Sequence, residues 1–262
     1  MKHILLPTDF SDTAHKAATF AMSLFGTEAA HYTLLNAYLK QAYRSPLIGL
    51  QVDTERASHL GLRREERRLR RQMGKVRIAL RSNSRPLAQA IAEVHAERPV
   101  ALVVMGPQGE GNYGLVGRNT TAAVTSTALP LIAVPAQWKP VKLDQILFAD
   151  DGLEDTEASL LPMLEIARTT GARSTLLHVD AGADNDGQRA RLKAMLKGIP
   201  HKFSTMEGGD VARTLEHLTQ EDGVDLMAVV RRQRNFWERL FQGSTSKRLA
   251  MHTTVPLLVM RG

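Results

Sequence analysis

Residues Val103 to Thr121 read Val-Val-Met-Gly-Pro-Gln-Gly-Glu-Gly-Asn-Tyr-Gly-Leu-Val-Gly-Arg-Asn-Thr-Thr. An apolar run, Ala101 to Met105, ends in Gly106, Gly109, Gly111, Gly114 and Gly117, and a helix-like segment follows from about Asn119 to Ala128. Strand, glycine loop and helix start make an arrangement suited to phosphate. Glycines let backbone N–H groups approach an anion, and the first turn of a helix adds unpaired donors and the positive end of its dipole. Asn119, Thr120 and Thr121 are good capping residues whose side chains also reach phosphate oxygens. A plain surface loop joining two elements is the competing reading. No Gly-Lys-Ser/Thr closes the run, so it is not a P-loop, and the glycine spacing is not the G-x-G-x-x-G of dinucleotide-binding folds.

Outward from this stretch, strands alternate with helices. His3 to Pro7 is a short apolar strand. Ser11 or Asp12 caps a helix with Ala14, Ala17, Ala18, Ala21, Met22 and Phe25 at helical spacing, stopped by Gly26. Tyr32 to Leu39 reads as the second strand, Lys40 to Leu50 as loop, and Thr54 to Gly74 as a long charged helix. Val76 to Leu80, Val100 to Met105 and Leu129 to Val134 are the remaining strands, with a helix from Pro86 to Arg98 carrying Leu87, Ile91 and Val94 inward. Such alternation predicts right-handed crossovers and an α/β sheet covered on both faces.

The pattern then returns after Pro135 to Pro140, which reads as a linker. Ile146 to Asp151 repeats Ile4 to Asp9, Ser174 to Val179 repeats Tyr32 to Ala37, Val224 to Val230 repeats Val100 to Met105, and Thr254 to Val259 repeats Ala128 to Ala133. Four matched strands in one order indicate duplication. The expected domains are 1–138 and 139–262.

The 262 residues fit two domains of ordinary size, with 43% hydrophobic and 23% charged residues. No apolar run approaches the ~20 residues needed to span a bilayer, and the first residues lack a signal-peptide core, so a cytoplasmic protein with no membrane partner is expected. The absence of cysteine excludes disulfides and thiolate chemistry. The net charge of +7 resides in the first 138 residues, with 17 Lys and Arg against 10 Asp and Glu. Much of it lies in Arg63 to Arg71. That run reads as a solvated helix face with pairs such as Glu66 and Arg70 rather than a nucleic-acid surface, because no aromatics interleave it.

Ligands of open α/β sheets bind beyond the carboxyl ends of the strands, where the strand order reverses. Asp9 ends the first strand and the glycine loop follows the fourth, so neighbouring placement would put both in one crevice. Asp9 then either accepts hydrogen bonds from an adenine or ribose, or caps the first helix.

With Pro7-Thr8-Asp9, Val104-Met105-Gly106, Gly106-x-x-Gly109, Gly117 before a helix, and a closing strand after Leu129-Pro130, the chain resembles the universal stress protein family over both halves. The resemblance implies two tandem five-stranded parallel sheets of the adenine nucleotide α-hydrolase, Rossmann-like kind. It implies that the final strands, Leu131 to Val134 and Leu257 to Met260, pair across a pseudo-twofold axis. It also implies ATP or AMP near Pro7, Thr8, Asp9, Ala37 and Met105, with Gly106, Gly109, Gly117, Asn119 and Thr120 around ribose and phosphates and Mg2+ accompanying ATP only. The family pattern has nine residues between Gly109 and the next glycine, whereas seven stand here, and Arg118 replaces the family's Ser or Thr. Arg118 either binds phosphate through its planar fork or faces solvent.

The second half departs further. Val230 and Gln233 stand where glycines are expected, leaving Gly243, Ser244 and Thr245 as a helix start and Asp151 as the counterpart of Asp9. Arg231, Arg232, Arg234 and Arg239 make its loop basic, and Phe236, Trp237, Leu240 and Phe241 read as packing residues. This half is expected to bind no nucleotide in the family manner. No Ser–His–Asp order, metal-ligand spacing or carboxylate cluster appears, and His178, within a strand, reads as structural. The expectation is therefore a nucleotide-binding stress or regulatory protein with an unidentified protein partner, an intramolecular pseudo-dimer that further homo-oligomerisation would extend. The alternatives are a scaffold without nucleotide, or a slow ATPase or nucleotidyl transferase.

Overall fold

The computed structural model describes residues 1–38, 53–106, 129–150, 155–179, 186–206, 223–231 and 255–262. The expected loop at 40–50, the glycine loop with the helix after it, Asp151, and the basic and aromatic segment 232–245 lie outside the described residues.

Ten strands form one sheet: β1 (Lys2–Pro7), β2 (Ala30–Ala37), β3 (Ile78–Asn83), β4 (Leu102–Met105), β5 (Leu131–Ala133), β6 (Gln145–Asp150), β7 (Arg173–Val179), β8 (His201–Met206), β9 (Leu226–Arg231) and β10 (Leu257–Arg261). Their order is β3-β2-β1-β4-β5-β10-β9-β6-β7-β8. Every neighbouring pair is parallel except β5 with β10, which run antiparallel with Leu257 opposite Ala133, Leu258 opposite Ile132 and Val259 opposite Leu131. The final strands of the two repeats thus meet within one chain. Ile132 faces Leu258, its own counterpart in the repeat, so a pseudo-twofold axis passes between them.

Five helices are described: α1 (Asp12–Phe25), α2 (Thr54–Met73), α3 (Leu87–Glu97), α4 (Glu157–Thr170) and α5 (Asp186–Met195). The Ser11 and Asp53 side chains accept from Ala14 N–H and Arg56 N–H at the starts of α1 and α2, and Thr156 with Ser159 forms a reciprocal capping box at α4. None of these helices is long and apolar enough to cross a membrane.

Because strand side chains alternate, each strand feeds two cores. Ile4, Leu6, Leu34, Ile146 and Phe148 pack with Ala17, Leu62, Leu69, Leu160 and Leu164 of α1, α2 and α4 on one face. Leu5, Leu35, Val103, Leu147 and Ala149 pack on the other, where α3 contributes Ala90, Ile91 and Val94. The charged helix α2 is held by buried Leu62 and Leu69, each contributing roughly 1.5–3 kcal/mol, and by a bond from His15 Nδ1 to Glu65 Oε1 at 2.6 Å. Its outer arginines include the expected Glu66–Arg70 pair at 2.9 Å and an Arg68–Asp12 pair at 2.8 Å.

The expected strands lie within about two or three residues of their observed positions, and one edge strand has no expected counterpart. β3 lies two residues later than expected, and β8 was not foreseen. β8 reads His-Lys-Phe-Ser-Thr-Met, and among its described side chains Phe203 packs against a core; an edge strand needs fewer such contacts.

The expected linker is fixed in place. Trp138 is buried and meets the Phe20 ring of α1 edge-on at 5.3 Å, Leu143 is buried, and Lys16 Nζ donates to the Ala136 carbonyl. Trp138→Ala should therefore destabilise by about 3–5 kcal/mol, the range for deleting a buried large aromatic. Urea unfolding measures this, and a change under 1 kcal/mol would mean that the indole carries no packing load.

Candidate functional site

The crossovers from β1 to β2 and β3 run toward one edge of the sheet, and those to β4 and β5 run toward the other. The strand order of the first half therefore reverses between β1 and β4, which pair as Ile4 with Leu102 and Leu5 with Val103. Their carboxyl ends bring Pro7, Thr8 and Asp9 beside Met105 and Gly106, and α1 starts above them.

The turn from β1 into α1 is tied by side chains. Thr8 is buried. Its N–H donates to the Leu35 carbonyl at 2.8 Å, its carbonyl accepts from Asn36 Nδ2 at 2.7 Å, and its Oγ1 accepts from Phe10 N–H at 3.0 Å. Asp9 is exposed, and its Oδ1 accepts from Ser11 N–H at 3.1 Å and from the Ser11 hydroxyl. Asp9 thus orients the cap, while Ser11 itself caps α1. Phe10 has φ +68°, a left-handed conformation that costs a non-glycine residue roughly 1–2 kcal/mol. Its ring lies over Gly61 of α2, where an added Cβ would come within 2.5 Å of the ring.

Gly106 has a structural role. A Cβ there would lie 2.6 Å from the Thr13 carbonyl oxygen and 3.2 Å from Ala14 N, so the backbone of α1 occupies the space its side chain would need. Met105 is fully buried opposite Ala133, and half-buried Ala37 ends β2 opposite Asn83. Pro7, Thr8, Asp9, Met105 and Gly106 are brought together, and Ala37 lies one strand away. Gly109, Gly117, Arg118, Asn119 and Thr120 lie outside the described residues.

The second half carries different chemistry at the corresponding strand ends. The repeat puts Asp150 in the place of Thr8 and His178 in the place of Asn36. Asp150 is buried, and His178 Nδ1 lies 3.3 Å from its Oδ2. Buried Asp155, before α4, accepts from Gln188 Nε2 of α5 at 3.3 Å. Burial, with Arg261 opposite it on β10, holds the Arg231 side chain below the usual arginine range. The Asp150–His178 contact was missed in the sequence, although aligning the halves puts two titratable residues at matching positions of adjacent strands. Val230 occupies the position of Gly106 and is buried. The helix start moves accordingly. Ile4 aligns with Ile146, but the cap Ser11 aligns with Thr156, three residues further along than the strands. The first half's close approach of helix to strand is not repeated. Among the described residues, no group of three or more His, Cys, Asp or Glu is arranged to hold a metal ion.

Gly106→Ala should lower stability by about 1–3 kcal/mol through overpacking against the Thr13 backbone. Val230→Ala should instead behave as an ordinary core truncation of roughly 0.5–2 kcal/mol. Denaturant midpoints of the two variants check this, and a neutral Gly106→Ala would show that α1 withdraws freely from β4.

A family model described as the universal stress protein family matches residues 1–135 and 183–261. A universal stress protein from Archaeoglobus fulgidus DSM 4304 has a similar structure, with TM-score 0.65 and 14% identity, covering 99% of this chain and 96% of that one. A putative universal stress protein from Pseudomonas aeruginosa UCBPP-PA14 matches with TM-score 0.62 and 15% identity, covering 100% of this chain and 93% of that one. A comparison with curated protein sequences gave no match. The tandem α/β fold with its mostly parallel sheet, and a family model matching well over half of the residues, lead to one conclusion: this chain belongs to the universal stress protein family.

Proposed function

We propose that this protein is a cytoplasmic stress-response regulator whose first half, residues 1–138, binds one adenine nucleotide, ATP or AMP, while residues 139–262 form a second domain that does not. The reading is carried by the crevice between the carboxyl ends of β1 and β4, the switch point at which open α/β sheets take ligands, in a member of a family whose fold is of the adenine nucleotide kind. In this reading the exposed carboxylate of Asp9 accepts from the base or ribose. Pro7, Thr8, Ala37 and Met105 shape the pocket floor, and Gly106, Gly109, Gly117, Asn119 and Thr120 surround ribose and phosphates. Mg2+ enters only with ATP, through phosphate oxygens. The bound nucleotide biases a surface that a protein partner reads.

A specific observation favours a second reading, a scaffold of the same fold without nucleotide. Gly106 faces the α1 backbone, and Asp9 is engaged by Ser11, so both residues have structural work with the crevice empty. Catalytic readings gain nothing comparable.

Mass spectrometry of gently denatured purified protein and calorimetric titration separate the two readings. At most one ATP or AMP per chain should bind. Gly109→Val should abolish binding without altering far-UV circular dichroism, by filling space needed for sugar or phosphates. Two equivalent sites per chain would overturn the asymmetry, and no binding by wild type would leave the scaffold reading.

Arg118→Ser divides the phosphate question. With Arg118 toward the crevice, a charge-assisted bond of ~1.5–3 kcal/mol is lost, so ATP should weaken roughly ten-fold or more and AMP less. Small equal changes for both nucleotides would mark it as surface charge, of ~1 kcal/mol or less.

A further inference from the structure

The pseudo-twofold axis between β5 and β10 relates α1 to α4, both 14 residues long, and puts them side by side on one face of the sheet. On the α4 side of the axis a groove is walled by the first half of α4 and the starts of β1 and β4, and on the α1 side the corresponding turns of α1 meet the linker. Lys16 and Phe20 are the fifth and ninth residues of α1; Leu161 and Glu165 are the fifth and ninth of α4.

Lys16 and Phe20 hold the chain's own linker. Lys16 Nζ donates to the Ala136 carbonyl, the Phe20 ring meets the Trp138 indole edge-on, and Trp138 is buried there. Leu161 and Glu165 line an open cavity of about 270 Å³, walled further by Ile4, Phe25, Leu102 and Pro130. Among the described residues none fills it. Leu161 is 43% exposed, a large apolar side chain left uncovered. The Lys2–Glu165 ion pair, at 2.9 Å, forms a charged rim.

A helix-interior proline also lines the open groove. Pro162 lies inside α4 and has no N–H to give the Ala158 carbonyl, its normal helical partner. Both residues line the cavity.

We infer that this groove is a docking site for a short turn-forming segment of a partner protein with proline three residues before tryptophan, seated as the chain's own Pro135 to Trp138 is seated across the pseudo-twofold axis. The linker supplies the precedent: the corresponding turns of α1 take one indole and the turn before it, which Trp138 N–H closes on the Pro135 carbonyl at 3.0 Å. Leu161, Phe25 and Ile4 supply apolar surface for an indole, which anchors interfaces when desolvated in such a pocket.

The probe is a fluorescein-labelled decapeptide with the sequence of Val134 to Leu143, titrated into the intact protein and read by fluorescence anisotropy. Saturable one-to-one binding is expected. Leu161→Asp in the protein and Trp→Ala in the peptide should each weaken it ten-fold or more, and Leu161→Met should preserve it. Leu161 is partly exposed, so Leu161→Asp should leave the circular dichroism and melting temperature near wild type. A peptide with benzoylphenylalanine in place of the tryptophan should cross-link to α4 between Ala158 and Glu165. Absence of saturable binding, binding indifferent to Leu161→Asp, cross-links to α1 at Lys16 or Phe20, or equal occupancy by free indole would each overturn the proposal.

Discussion

The antiparallel pairing of β5 with β10 is the contact on which the rest of the architecture depends. Each repeat alone would end in an open strand edge, with a row of unpaired N–H and C=O groups. Joining the edges at Leu131–Val259, Ile132–Leu258 and Ala133–Leu257 turns two five-stranded sheets into one of ten. The same join sets α1 beside α4 in one continuous core, where Phe20, Leu160, Leu164 and Trp138 belong to a single cluster. A core shared across the axis makes the two repeats one structural unit, although their sequences read as two domains.

Within that symmetry the two crevices have diverged by coupled changes. In the first half, Gly106 lets the start of α1 approach β4 until only a bare Cα fits. In the second, Val230 fills the equivalent position, and the longer connection before Thr156 gives α4 a different entry. The polar pair under each crevice differs as well. Asn36 bonds to the Thr8 backbone in one half, and His178 meets a buried Asp150 carboxylate in the other. The first is a bond between an amide and a carbonyl, the second a contact between an imidazole and a carboxyl group. The halves therefore share a scaffold and differ in the chemistry at its strand ends.

The linker is part of the core. Pro135 to Pro140 joins the two repeats, and Trp138 within it and Leu143 just after it are core residues. A short segment crossing a shared core has apolar surface within reach, and burying an indole outweighs the entropy of fixing a few residues.

Sequence by itself determined the alternation of strands and helices, the duplication, a cap for the first helix at Ser11 or Asp12, and the family. Each of these rests on local periodicity, on capping chemistry or on motifs within a few residues of one another. It found every interior strand because two covered faces demand continuous apolar runs, and it missed β8 because an edge strand obeys a weaker demand. Only the tertiary structure decided what Gly106 is for, since the Thr13 carbonyl that excludes a side chain there is more than ninety residues away in the chain. It alone joined Asp150 to His178 and Phe10 to Gly61, contacts set by strand register and helix packing. Register and packing are properties of the assembled sheet, and no window of sequence contains them.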